Sequence, residues 1–458
     1  MKRIYTLRSS LYKLVSFFFL LITVHAEARV FYLSPTGNDN GAGTNASPWF
    51  TLNKAWAQVA AGDTIYLRGG TYNYTSQQYL IGKNGTNANM IKVWNYPGEK
   101  PNLTQGSGWP GSGQDFIYFG GNYVHWKGIE ISYCNRSSAD WAAFRSESPA
   151  ANNCIFEQID YHHNQLGFTI RECNNNLVLN SDFHHNQDAA GDNADGINIT
   201  YVSNGSFSNT IRGCRAWNNS DDGFDFWANQ GYVLIEDSWA WRNGYAQNGT
   251  TPAGDGSGFK FGAYTGSTTA LKRTAQRCVA YDNRLWGFNE NNCQTGTNLY
   301  NNIAYANGNK SYWFGDWGNH VMDVRNNIHF QAPNGYTFSG GAVIATNNSW
   351  QSGMSVASSD FQNLTSQLGN PRQSDGALPN ITFLHLVNGS NLIDAGINVG
   401  LSFLGTAPDL GAFETGGAAP PPANQPPTAN AGTDRTITLP VNNVTLNGSG
   451  TDPDGTIA

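Results

Sequence analysis

The feature that most narrows the fold is a repeat. Seven short segments each carry an alternating, strand-like stretch into an aromatic residue that is usually followed by Asn or His: FEQIDYHHNQ (156–165), LNSDFHHNQ (179–187), RGCRAWNNS (212–220), EDSWAWRNG (236–244), QRCVAYDNR (276–284), YNNIAYANG (300–308) and VRNNIHFQA (324–332). Aligned on Tyr161, Phe183, Trp217, Trp241, Tyr281, Tyr305 and Phe330, they stand 22, 34, 24, 40, 24 and 25 residues apart. A unit of 22 to 25 residues cannot bury an apolar face alone and must stack on its neighbours. The expected fold is all-β, a parallel β-helix in which the two long intervals bulge outward as loops. A second register drifts along with the first: Gly167-Phe168, Gly196-Ile197, Gly223-Phe224, Gly258-Phe259 and Gly287-Phe288. Asn219, Asn243, Asn283 and Asn307 each fall two residues after their aromatic. Stacked ~4.8 Å apart, they predict an asparagine ladder that serves structure rather than catalysis.

The ends of the chain read differently. Lys2, Arg3, Arg8 and Lys13 precede an apolar run from Leu14 to Val24, followed by Ala26-Glu27-Ala28, which is the pattern of a secretory signal peptide over residues 1–28. The run is short of the ~20 residues that span a bilayer, so the expectation is a secreted protein with no membrane span. The β-helix is expected over 29–415, with one short helix at Leu52 to Val59. A Pro/Gly/Ala linker follows at 416–427. Residues 428–458 resemble the opening of an immunoglobulin-like, PKD-type module, too short to be a complete one.

Charged residues are 13% of the chain, about half the usual ~25%, and acids outnumber bases 33 to 26. Loss of residues 1–28 would make the remainder more acidic still. That excludes a nucleic-acid partner and a basic membrane-surface role, and an anionic substrate would have to be recruited by specific cations. Six cysteines in an exported chain permit disulfides. The absence of any CxxC pair argues against a thiolate zinc site.

Stacking converts the glycine register into a candidate site. Asp195 and Asp222 both immediately precede a register glycine, so they are expected on adjacent coils. Asn198, Asp225 and Lys260 follow the same glycines by two residues, and strand alternation is expected to put them on the face of the preceding aspartates. Asp221 completes a set of four carboxylates facing Lys260, with Asp192 a weaker fifth. Each like-charged pair at about 4 Å costs roughly 4 kcal/mol at an effective dielectric of 20, more than one ammonium offsets. Either some acids hold protons or a hard divalent cation sits among them, and an all-oxygen set without His or Cys favours Ca2+. The bland reading of each aspartate alone is a turn residue before Gly.

A cation beside an amine suits elimination. The cation holds a uronate carboxylate and acidifies the adjacent C–H, a neutral lysine removes that proton as general base, and the 4-linked sugar leaves. Lys260 starts from a pKa near 10.4, so an alkaline optimum is expected. Paired aspartates on the same fold would also suit an inverting glycoside hydrolase, and a non-catalytic carbohydrate-binding β-helix would use calcium structurally. Arg242, Arg284 and Arg273 are candidates to pair with uronate carboxylates, against a reading as solvated surface. Trp227, Trp286 and Trp313 either stack on sugars or fill coil corners. His162, His163, His184 and His185 lie in the repeat register and read as stacked turn residues.

The run NADGINI, then CRAWNNSDDGFDFW and SGFKFG, resembles the core of polysaccharide lyase family 9, as do the opening FYLSPTGNDNGAGTNASPWFTLNKAWAQVAAGDTIYLRGGTY and the closing LIDAGINVG and APDLGAFE. The resemblance covers about residues 30 to 415 and is most specific at the Asp and Lys core. It implies a secreted pectate lyase on a right-handed parallel β-helix, with calcium held by Asp195, Asp221, Asp222 and Asp225 and with Lys260 as the Brønsted base. The implied substrate is a 4-linked uronic-acid polymer, pectate or polygalacturonate, and the expected state is a monomer. Family members differ in endo or exo action and in polymer.

Overall fold

In the computed structural model, three sheets of 12, 10 and 10 strands share the chain turn by turn, and adjacent strands in each are parallel. The structure describes residues 27–416, apart from 110–112, 135–140, 148–150, 204–207, 263–271, 292–295, 316–320 and residue 352. Beyond 416 it describes only 428–430, 432, 440 and 449–451. One coil shows the plan. Ile155–Glu157 belongs to the 12-stranded sheet, Asp160–His162 to the second face, and Phe168–Arg171 to the third. The corners on either side of the second strand are single residues at positive φ, Gln158 (53°) and His163 (53°) here, then Asn180 and His185, and later Asp237 and Arg242. One left-handed residue turns the chain with little length, so rungs as short as three residues can stack. The connections follow the right-handed sense of parallel crossovers.

The glycine register stacks as expected. Phe168, Ile197, Phe224, Phe259 and Phe288 pair in succession, pointing inward, with Phe224, Phe259 and Phe288 stacked at 5.0 and 4.7 Å. The aromatic register slips once. Tyr161 pairs with Phe183, but Phe183 pairs with Ala216, while Trp217 pairs with His184. The reason is interior room. Tyr161 and Phe183 fill the core on their rungs, whereas Ala216 and Ala240 face the register glycines across it: a Cβ on Gly196 would lie 2.9 Å from that of Ala216, and one on Gly223 3.2 Å from that of Ala240. The large rings therefore turn outward from Trp217 onward. Their outward column, Trp241, Tyr305 and Phe330, is buried beneath the C-terminal segment by Phe361, Phe383, Leu384 and Leu386. Arg372 of the same segment pins it by pairing with Asp182 at 2.7 Å.

The asparagine ladder crosses the slip intact, because Asn164 and Asn186 sit one residue later and absorb it. Successive backbone amides of Asn164, Asn186, Asn219, Asn243 and Asn283 donate to the side-chain oxygen of the next asparagine at 3.1 to 3.2 Å, ending at Asn307. A second ladder joins Asn302, Asn327 and Asn348. The expected helix runs Leu52–Gln58, with Thr51 accepting from the Lys54 amide and Val59 as C-cap. It buries Leu52, Ala55 and Trp56, the last edge-on to Phe119 at 5.7 Å.

No disulfide joins the five described cysteines. They are buried in the coil interior, where burial pushes the Cys154 and Cys214 thiols up to about 12. Their Sγ atoms turn to backbone carbonyls, as Cys154 does to Gly121 at 3.1 Å. Cys293, the signal segment up to residue 26 and linker residues 417–427 lie outside the described residues. Of the expected PKD-like module, the described part is one antiparallel pairing, Thr428–Asn430 with Ser449–Thr451.

Candidate active site

The site grows from two close approaches of the backbone. A Cβ on Gly196 would lie 2.5 Å from the Gly223 oxygen, and one on Gly223 2.6 Å from the Gly258 oxygen, so only glycine lets these rungs stack. The Gly196 amide bonds the Asp222 carbonyl at 3.0 Å, which places Asp195 over Asp222. In the strands that follow, Asn198 pairs with Asp225 and Asp225 with Lys260. Alternation alone would send residues three apart, such as Asp195 and Asn198, to opposite faces. The bend at Gly196 reverses that, and Asn198 Nδ2 donates to Asp195 Oδ2 at 2.9 Å.

Asp195, Asp221, Asp222, Asp225 and Lys260 are all at most 6% exposed. Lys260 Nζ lies 2.8 Å from Asp222, 3.5 Å from Asp225 and 3.3 Å from Asp255. Carboxylate oxygens of Asp195, Asp222 and Asp225 converge within 4.8 Å, as do those of Asp221, Asp222 and Asp255. Burial, then the charges of Asp225, Asp221 and Asp222, push the Asp195 carboxyl well above its ordinary range. Burial followed by Asp222 raises Asp221 to about 9. Burial raises Asp225 to about 6 despite the opposing Lys260. The Lys260 ammonium is disfavoured by burial, but Asp222, Asp225, Asp221 and Asp195 outweigh it and hold its pKa above the ordinary value. Left to themselves these groups share protons, and the amine keeps its own. Asp225 Oδ1 is buried without a hydrogen-bond partner among the described residues. An orphaned buried oxygen within an all-oxygen cluster fits a hard divalent cation.

Asp255 was not anticipated from the sequence. Its amide donates to Asp221 Oδ1 at 2.5 Å, and its one signal is a further Asp-Gly pair, offset by two residues from the register. Asp192 is exposed at the mouth of the cleft, bonded to Asn193, and not in the cluster. Arg242 is a coil corner whose Nη2 donates to the Gly249 carbonyl at 2.9 Å. Arg284 Nε and Nη2 both donate to the Gly254 carbonyl, Nε at 3.1 Å. Both arginines are occupied with the 244–256 loop, and neither lines the acidic cleft. Arg273 is fully buried. Among the described residues, the cations lining the cleft are instead Arg145 and Arg171, together with Lys260; both arginines lie on rungs before the recognisable core. Trp227 stands 44% exposed at the rim, whereas Trp286 and Trp313 stack on each other at 4.8 Å outside it. The four histidines stack as two columns, His162 on His184 at 4.8 Å and His163 on His185 at 5.1 Å. Asp160, His162 and His184 approach closely enough to share an ion, but two face-to-face rings 12° apart do not converge their in-plane nitrogens.

Comparison with known proteins agrees with the fold. A family model described as Pel9A-like, right handed beta helix region, matches residues 31–327. Pectate lyase L of Dickeya dadantii (strain 3937) is 33% identical over 413 residues, 84% of this chain and 90% of the relative. The crystal structure of pectate lyase Pel9A superposes with a TM-score of 0.71 at 31% identity, covering 85% of this chain and 97% of that one. A rhamnogalacturonan lyase structure superposes with a TM-score of 0.69 at 26% identity, covering 79% and 97%.

Proposed function

The chain belongs to the Pel9A-like right-handed β-helix family and is a polysaccharide lyase, and from that premise we propose that it cleaves 4-linked uronic-acid polymers, pectate or polygalacturonate foremost, by calcium-dependent β-elimination with Lys260 as base. The observation that carries the proposal is the buried set of four aspartates packed around one lysine amine at the floor of an open cleft. The lyase relatives leave the hydrolase and non-catalytic readings without support. All the groups come from one chain, which suits a monomer, and the proposal includes export through residues 1–28.

Asp195, Asp221, Asp222 and Asp225 would hold the ion. When bound, a hard divalent cation supplies charge that offsets these carboxylates, acidifies the hydrogen beside a uronate carboxylate and relieves the field that keeps Lys260 protonated. Lys260, as the free amine, takes the C5 proton at Nζ. The electron pair of the broken C5–H bond forms the C4–C5 double bond, and the C4–O bond breaks to release the leaving chain. Asn198 orients Asp195, and Asp255 joins Asp222 in restraining Lys260. The test is the ultraviolet absorbance of the unsaturated product from polygalacturonate, with and without chelator, for wild type and Lys260→Ala. Absorbance that survives in the variant at the wild-type rate removes the base; sugar release without absorbance removes elimination.

A further inference from the structure

The outward column that carries Asp225 and Lys260 does not end at the acidic nest. Beyond Asn198 it continues through Thr169, Arg145 and Tyr118 to Tyr79, one residue per rung, and one cleft of about 1110 Å³ contains them all. Tyr79 and Tyr118 close the column as a stack, with centroids 5.2 Å apart and planes 24° apart. Tyr79 is 51% exposed, in a fold that buries the outward aromatics of its second face under the C-terminal segment. Its backbone is fixed: Asn53 of the N-terminal helix accepts from the Tyr79 amide at 2.7 Å and donates to the Gln77 carbonyl at 2.8 Å. A half-bare ring held this firmly, inside the cleft, is a platform.

We propose that Tyr79 and Tyr118 form a remote sugar-stacking subsite that takes the apolar face of a pyranose ring, so that the enzyme selects for chain length. The inference rests on the reading of the cleft as a uronan site. The platform lies five to six rungs from Lys260, about 24 to 29 Å at ~4.8 Å per rung. One rung is close to the advance of one pyranose along a 4-linked chain, so a polymer laid on the column sets about one sugar per rung. Thr169 and Asn198 are short and leave the floor between platform and nest open. Arg145, ion-paired to Asp115 at 3.0 Å, gives the chain's carboxylates a fixed positive neighbour on the way. Binding at a site remote from the scissile bond helps only chains long enough to reach it.

The experiment compares wild type, Tyr79→Ala, Tyr118→Ala and Tyr79→Phe by release of unsaturated product from trigalacturonate and from polygalacturonate. The alanine variants are expected to lose roughly 5- to 30-fold in kcat/KM on the polymer, the size of effect from truncating an aromatic anchor, mainly through KM. Their rates on the trimer should stay at wild type, and Tyr79→Phe should match wild type on both. An equal loss on trimer and polymer, or no loss on the polymer, overturns the subsite. If wild type releases no unsaturated product from polygalacturonate, the functional reading fails instead. The platform is then decided by migration in native gels cast with polygalacturonate or rhamnogalacturonan: faster migration of Tyr79→Ala than wild type supports it, and equal migration in both overturns it.

Discussion

Asp225 provides the sharpest test of the proposed cation site, because removing its charge should stabilise the metal-free protein while abolishing the response to metal. Its carboxyl lies at about 6 in the folded chain against 3.8 as the ordinary value, raised first by burial. A carboxyl raised by folding contributes stability that is fully present below the unfolded pKa and is lost as pH rises through the folded one. The window is therefore pH 4 to about 6, and the loss is about 3 kcal/mol at ~1.4 kcal/mol per pKa unit. An unfolding entropy of ~2.1 cal/mol/K per residue, over residues 27–416, turns that into about 4 °C. In chelator, wild-type Tm should fall between pH 4 and pH 7.5 by about 4 °C more than that of Asp225→Asn, and at pH 7.5 the variant should melt above wild type. Added Ca2+ at 100 times its Kd should return ~2.7 kcal/mol to wild type and nothing to the variant. Differential scanning calorimetry in both buffers reads all three. A variant that melts below metal-free wild type at pH 7.5, or one that still gains from Ca2+, refutes the reasoning.

Lys260→Ala should lower kcat by at least ~10²-fold, the range of a lost general base, with circular dichroism unchanged in Ca2+. Since the carboxylates hold the Lys260 pKa above its ordinary value, the rate with saturating Ca2+ should rise toward alkaline pH; a profile flat from pH 7 to 10 would count against the lysine. Asn243→Ala leaves the Asn219 amide without its acceptor and removes donations to Asn283 and the Ala216 carbonyl. At ~1–3 kcal/mol for a buried group left unsatisfied, the guanidinium midpoint should fall measurably while the rate in Ca2+ is retained. Gly223→Ala forces a Cβ to 2.6 Å from the Gly258 oxygen and should cost both stability and Ca2+ affinity, read by calorimetry, where Gly213→Ala, at the corner between the other two sheets of the same coil, would disturb stability alone.

Period and stacking were legible in the linear chain because each rung repeats the same steric problem. The Gly-Phe register, the four aspartates and Lys260 could be read because their partners lie one rung away, at near-constant sequence separation. The slip at Phe183 could not, since Tyr, Phe and Trp satisfy the same pattern whether they face in or out, and only the narrow Gly-Ala approach across the core decides which. Arg242 and Arg284 misled for a related reason: a corner arginine and a cleft arginine look alike until the 244–256 loop supplies carbonyls to one of them. Asp255, Arg145 and the Tyr79–Tyr118 stack stand off the recognisable core and were placed by loop path and rung register. Sequence alone thus determined the coil and the residues of the acidic nest, which depend on local spacing. Tertiary structure decided which outward side chains line the cleft and which lie under the C-terminal segment, because burial of an outward face depends on chain well outside its own rung, as Phe361 covers Phe330 and Phe383 covers Tyr305.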